Sequence, residues 1–251
     1  ENTTDGYELW PVPRIGKALI HSHASDDELG KIYQPDLPIH AHPNALAAVL
    51  AQLDLKADWA GWCADAHQSY VASMSIPPQP GELDMGKVVA HLQANLPEAA
   101  ILTNGAGNFA IWSNKFFRFG PQARLLAPQS GAMGYGLPAA IAAKLECPDM
   151  PVVCFAGDGD FQMNCNELGT AMQHNAMPVV LLVNNGTYGT IRMHQERTYP
   201  ERISFTDIDN PDFVALAKAY RAHAERVTQT ADFPAAFARA SASSSASLAA
   251  F

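Results

Sequence analysis

The chain is 251 residues long, 48% hydrophobic and 16% charged, with a formal net charge of −9. That balance excludes a disordered chain and speaks against nucleic acid or an anionic membrane as the main partner. No run of 18 apolar residues occurs, so no transmembrane helix is expected, and the length suits one large domain or one and a half.

The opening segment, ENTTDGYELW, lacks the features of a signal peptide. Lys17–His23 reads as a strand, Ser25-Asp26-Asp27 as a polar turn, and Asn44–Leu55 as an amphipathic helix with Leu46, Val49, Leu50 and Leu53 on one face. One strand, one turn and one helix cannot close a core, so residues 1–60 do not read as the start of a domain. The pairs His21/His23 and His40/His42 would each share one side of a strand. No Cys or acidic partner stands at matching spacing, and they are read as solvated or hydrogen-bonded histidines rather than metal ligands. Lys56–Tyr70 is expected to be helical. Ser75–Gly81 (SIPPQPG) cannot continue a helix or an inner strand, because each proline fixes φ and lacks a donor. A domain boundary is placed there.

Beyond it, Met85–Leu96 reads as a helix burying Val88, Val89 and Leu92, and Ala100–Thr103 as a strand delivering the loop Asn104–Phe109. Trp112, Phe116, Phe117 and Phe119 form an aromatic cluster suited to core or subunit packing. Pro138–Leu145 is a helix with proline in its first turn. Met133, just before it, reads on its own as a core methionine.

The most informative stretch is Pro151–Gly189. An apolar run, Val152–Ala156, is broken by Gly157-Asp158-Gly159. A helical pattern follows from about Asn164, with Leu168, Ala171 and Met172 on one face, and a second apolar run, Pro178–Val183, ends in Asn184-Asn185-Gly186. Strand, helix, strand is a parallel βαβ unit, and its crossover is right-handed. Asp158 and Asn185 thus both stand at carboxyl ends of strands, about 4.8 Å apart if the strands are neighbours. Ligands of open α/β sheets bind at that edge. A carboxylate and an amide oxygen are hard donors that suit Mg²⁺, which completes its shell with water and phosphate oxygens. The helix start adds N–H groups and a positive dipole end. The residues alone therefore read as a Mg²⁺–diphosphate site, although either turn by itself is ordinary.

Tyr188–Arg197 reads as a helix whose Arg192 and His194 form a charged, solvated face. Asn210-Pro211-Asp212 caps the next helix, which buries Phe213, Leu216, Ala217 and Tyr220. The tail Ser241–Ala250, SASSSASLAA, is low in complexity and is expected to fray. The four cysteines, Cys63, Cys147, Cys154 and Cys165, show no CxxC spacing and read as buried thiols of a reducing, cytoplasmic compartment. The core is expected from Val152–Phe155, Val179–Val183, Ile141, Leu145, Leu168, Met172, Phe213 and Leu216. The fold class is α/β, an open, mostly parallel, doubly wound sheet with helices on both faces.

GDG, a βαβ of this length, and NN together resemble the thiamine-diphosphate-binding motif of thiamine-dependent enzymes. Ser130–Ala140 (SGAMGYGLPAA) is similar to the segment that holds the aminopyrimidine ring in the acetolactate-synthase-like superfamily. The resemblance runs from about Gly81 to Ala240. It implies Mg²⁺ ligands at Asp158, Asn185 and the Thr187 carbonyl, and Met133 as the wedge beneath the bent cofactor. It also implies cofactor contacts at Gly105, Ala106, Gly107, Asn108, Phe109, Gly131, Gly157, Gly159, Asp160, Tyr188 and Gly189. Substrate contacts would fall at Ile191, Arg192 and His194. Pyruvate-decarboxylase-like enzymes place a catalytic glutamate where Arg192 stands, which counts against simple decarboxylation.

By the same resemblance, residues 1–74 are the end of a middle domain, 75–81 the linker, 82–240 the diphosphate-binding domain and 241–251 a tail. The middle domain departs from many relatives at His23 and Ser25, so FAD is left open. The glutamate that activates the cofactor in this superfamily belongs to a pyrimidine-binding domain that nothing here resembles. The chain is therefore expected to be part of a longer protein or of a split enzyme, inactive alone, and a homodimer or homotetramer when whole. The expected activity is thiamine-diphosphate-dependent carboligation of a 2-oxo acid or related acyl donor. A 2-hydroxyacyl-CoA lyase, a 2-oxo acid decarboxylase and a non-catalytic cofactor-binding module are the alternatives. A Walker lysine is absent, which sets aside a generic nucleotide site.

Overall fold

A computed structural model describes residues 10–243 and 245–251. The segment read as no signal peptide lies, save Trp10, outside the described residues, as does Ser244 of the tail. The residues group into two compact units, one ending at Gln68 and the other beginning at Ser69. Among the described residues no helix is long and apolar enough to cross a membrane.

In the first unit, β1 (Ile20–His23) pairs in parallel with β2 (Leu37–His40), and α1 (Pro43–Leu50) follows. The strand β2 had no signal in the sequence, since Pro38 interrupts it. The helix α1 stops five residues short of the expected Leu55. His42 caps it, with Nδ1 accepting from the Asn44 amide at 3.3 Å. His21 Nδ1 accepts from Gly30 N at 3.4 Å, and His40 Nε2 lies 3.0 Å from the Ala24 carbonyl. These histidines bind backbone. The helix α2 (Ala60–Ser73), within which the chain passes from one unit to the next, has no buried residue.

The second unit is built on six parallel strands in the order β4-β3-β5-β6-β8-β7. These are β3 (Ile101–Asn104), β4 (Arg124–Leu126), β5 (Val152–Gly157), β6 (Val179–Val183), β7 (His223–Arg226) and β8 (Ser247–Ala250). Side chains alternate across the strands, and the core divides accordingly. Cys154, Ala156, Val180 and Leu182 face α4 (Gly136–Glu146), α6 (Leu168–Gln173) and α8 (Phe213–Ala219). Val153, Phe155 and Leu181 face α3 (Met85–Asn95), α9 (Phe233–Ala242) and the aromatic segment of Trp112, Phe116, Phe117 and Phe119. This is the expected doubly wound α/β architecture, with every strand parallel.

Four expectations are corrected. The low-complexity tail does not fray: Ser247–Ala250 is a fully buried strand between β6 and β7. Its small side chains fit between two helical layers, and the Ser247 hydroxyl donates to the Ala240 carbonyl at 2.9 Å. Leu145 is 48% exposed, on the outer face of α4. Of the cysteines only Cys154 is buried, and Cys63 is exposed on α2. Finally, the first helical turn after β5 starts not near Asn164 but at Asp158 itself, as the short helix α5 (Asp158–Gln162).

Candidate functional site

From β3 the chain moves outward to β4, whereas β5 and β6 lie on its other side. The point where the strand order reverses is therefore between β3 and β5. Loops leaving the carboxyl ends of such neighbours diverge and open a crevice. A cavity of about 360 Å³ occupies that place. Its walls come from Ala106–Phe109 after β3, Gly157–Asp160 at the end of β5, Asn185 and Thr187–Ile191 after β6, and Met133.

The strands β5 and β6 pair directly, with Gly157 opposite Val183, so the Asp158 and Asn185 turns stand side by side. Asp158 is 3% exposed. Its Oδ1 accepts from the Gly159 amide at 2.9 Å, and its Oδ2 from the Gly186 amide and from Asn210 Nδ2, both at 2.7 Å. One carboxylate thus ties the two strand ends together. Asn185 is exposed, and its Oδ1 accepts from Thr187 N at 3.2 Å. The Thr187 carbonyl accepts from Gly189 N at 2.8 Å, while its hydroxyl donates to the Thr206 carbonyl at 2.9 Å.

Glycines keep the crevice open. A Cβ on Gly157 or Gly107 would strike the Phe109 ring, and one on Gly159 the Tyr188 ring. On Gly105 it would fall inside the Asp160 carboxylate. At Gly136 the obstacle is backbone, which cannot swing aside: its Cβ would lie 2.8 Å from the Gly105 nitrogen. Asp160 is as buried as Asp158. Burial raises its pKa to about 6, against the pull of amides from Gly134, Gly157 and Ala106. The Asn104–Phe109 loop is fastened across the opening to α7 (Gly189–Thr198), with Asn108 N donating to Thr190 Oγ1 at 2.9 Å.

Of the residues singled out in the sequence, Gly105 and Gly131 do not line the cavity. Gly105 lies packed beneath Asp160, and Gly131 is an exposed turn residue with φ +67°. Ile191 lines it; Arg192 and His194 do not, being exposed on α7, with His194 Nδ1 2.9 Å from Arg197. Ile111, Trp112, Val183 and Thr190 line it and were not foreseen as site residues. Asn210 was read only as part of a helix cap. Asp212 alone caps α8, and Asn210 instead donates to Asp158 and to Asn184 Oδ1, each at 2.7 Å. No local sequence signal joins positions 158 and 210.

The donor chemistry suits a hard cation. A carboxylate offers about four lone-pair sites and an amide or carbonyl oxygen two. Three N–H groups occupy Asp158, one occupies Asn185 Oδ1 and one the Thr187 carbonyl, so each oxygen set keeps a free lone pair. The floor of small residues and the apolar walls fit an extended ligand with one charged end.

Comparison with known proteins decides the family. The family described as "Thiamine pyrophosphate enzyme, C-terminal TPP binding domain" matches residues 105–250. The chain belongs to this family. It is 31% identical over 219 residues to the acetolactate synthase large subunit of Parasynechococcus marenigrum (strain WH8102), covering 84% of this chain and 35% of that protein. It is 30% identical over 214 residues to the acetolactate synthase isozyme 2 large subunit of Escherichia coli (strain K12), covering 84% and 39%. To the acetolactate synthase of Arthrospira platensis it is 36% identical over 156 residues, covering 61% and 26%. The chain thus spans between about a quarter and two fifths of the length of these relatives. The matched family region contains every residue lining the crevice, and it extends through β8, the strand least evident from composition.

Proposed function

We propose that this chain is the diphosphate-binding part of a thiamine-diphosphate- and Mg²⁺-dependent carboligase that joins 2-oxo acids, as an acetolactate synthase does. The observation that carries the reading is the pair Asp158 and Asn185, ending adjacent parallel strands at the rim of a glycine-floored cavity. Asp158, Asn185 and the Thr187 carbonyl would hold the metal, each through its remaining lone pair. Gly107, Gly157 and Gly159 let backbone approach the diphosphate, and Met133 would support the organic part. When bound, thiamine diphosphate supplies the carbanion-stabilising chemistry. Phe109, Ile111, Trp112, Val183 and Ile191 form the apolar wall that keeps water from the reacting centre.

Nothing among these residues replaces the activating glutamate, which the reading assigns to a pyrimidine-binding domain of the longer protein or of another subunit. The position that carries a glutamate in pyruvate-decarboxylase-like enzymes is Arg192, exposed and outside the cavity. That favours carboligation over simple decarboxylation. A non-catalytic module would bind the cofactor equally well and fail only in turnover. We further propose a cytoplasmic homo-oligomer, with residues up to 74 belonging to a middle domain.

Calorimetric titration of thiamine diphosphate with Mg²⁺ into the full-length protein, beside Asp158→Ala, tests the site. Binding by the parent and its loss in the variant are expected; equal binding by both would place the cofactor elsewhere. With binding established, condensation of two 2-oxo acids with release of CO₂ separates the carboligase from the non-catalytic module.

A further inference from the structure

Asp160 lines the cavity two residues after Asp158, yet its short bond runs to Gly134, which does not line it. Its Oδ1 accepts from the Gly134 amide at 2.6 Å, and the amides of Ala106 and Gly157 lie close enough to favour its charged form. The Gly105 backbone packs so closely on it that no side chain could stand there. One buried carboxylate is therefore where three segments meet: the loop after β3, the turn carrying Met133, and the end of β5.

The Met133 turn is held at a second point. Asn164 Nδ2 donates to the Gly134 carbonyl at 2.8 Å. Gly134 itself has φ +83°, and a Cβ there would meet Asn164 Nδ2 at 2.8 Å and Met163 Cβ at 3.0 Å. Both backbone polar groups of Gly134 are thus gripped by the 158–164 segment, its N–H by Asp160 and its C=O by Asn164. Without those grips a turn built on a left-handed glycine has many alternatives. The chemistry at position 160 is also specific. Three N–H groups surround it, and a carboxylate answers them with acceptors on both oxygens and no donor of its own. An asparagine of the same shape would aim an NH₂ at another donor.

We propose that Asp160 is a positioning residue, which sets Met133 at a fixed height over the Asp158–Asn185 anchor by holding the Gly134 amide. It rests on the reading that the cavity takes thiamine diphosphate with Mg²⁺. Asp160 acts through Met133 and need not touch the cofactor.

The test is a double-mutant cycle on cofactor affinity, measured by titrating thiamine diphosphate with Mg²⁺ into the full-length parent, Asp160→Asn, Met133→Ala and the double variant. Thermal unfolding of each shows that it is folded. Asp160→Asn should weaken binding about tenfold to a hundredfold, the range for a hydrogen bond to a charged group. On the Met133→Ala background the same change should cost less than about twofold, because the side chain it positions is gone. A purely structural carboxylate would give the same penalty on both backgrounds, and that additivity would overturn the proposal. So would parent-like affinity in Asp160→Asn. Should Asp160→Asn fail to fold, Asn164→Ala releases the other grip and should show the same non-additivity with Met133→Ala; additivity there would again overturn it. If the parent itself binds no cofactor, the functional reading falls first, and this inference with it.

Discussion

Two neighbouring strands end at the cavity rim in opposite ways. β5 ends in Asp158, 3% exposed and held by three N–H donors from Gly159, Gly186 and Asn210. β6 ends in Asn185, exposed, with its Oδ1 accepting the Thr187 amide at 3.2 Å. In the proposed cation site the two ends would contribute differently. The buried carboxylate supplies charge at a fixed point, which costs desolvation that only its donors offset. The exposed amide, held by a single donor, would supply a neutral oxygen at a small desolvation cost. The difference predicts that binding and stability are linked at one strand end and separable at the other.

Asp158→Ala is the largest test. Cofactor affinity should fall by more than about a hundredfold, and stability by about 2–4 kcal/mol, as buried donors lose their acceptor. Urea unfolding beside calorimetry checks both. Asn185→Ala should lower affinity about tenfold while leaving stability within about 0.5 kcal/mol of the parent. A stability loss like that of Asp158→Ala would break the comparison. Asn210→Ala sharpens it: this residue never lines the cavity, yet it should cost about 1–2 kcal/mol and a few-fold in affinity through Asp158.

The smallest effect belongs to a control site on β7. Glu225 is paired with Arg239 through two hydrogen bonds, at 2.9 and 2.7 Å. Arg239 foremost, and His223 after it, pull the carboxyl from its ordinary 4.5 down to about 2. A carboxyl with a depressed folded pKa stabilises above its unfolded value. The Glu225 contribution is therefore complete above about pH 4.5 and lost as the pH falls toward 2. Glu225→Gln should flatten that part of the acid-unfolding curve and leave cofactor affinity unchanged.

What the sequence made legible follows from range. β5 and β6 were readable because apolar runs with nothing polar inside them end abruptly in Gly-Asp-Gly and Asn-Asn-Gly, so strand, turn and chemistry coincide. The loop after β3 was readable for the same reason. β8 was hidden: Ser-Leu-Ala-Ala has little intrinsic β tendency and becomes a strand only because β6 and β7 pair with it on both sides. Asn210 was hidden by its separation of 52 positions from Asp158. Trp112 was seen as one of a cluster of aromatics. Nothing local says that it also borders a crevice opened by a reversal of strand order.

That reversal has a counterpart at the other side of the sheet. β7 precedes β8 in the chain but joins the sheet only through it, β8 filling the slot beside β6. On the ribosome, His223–Arg226 thus emerges while that slot is still vacant. Register shows what premature entry would mean. Ala249, 1% exposed, stands between Leu181 and Glu225, so β7 in its place would carry Glu225 into the apolar centre of the sheet. The charges on β7 make the wrong insertion costly, and the bland Ser-Leu-Ala-Ala makes the right one free of such cost. A strand without conspicuous sequence character thus suits the central slot, and the charged strand suits the edge.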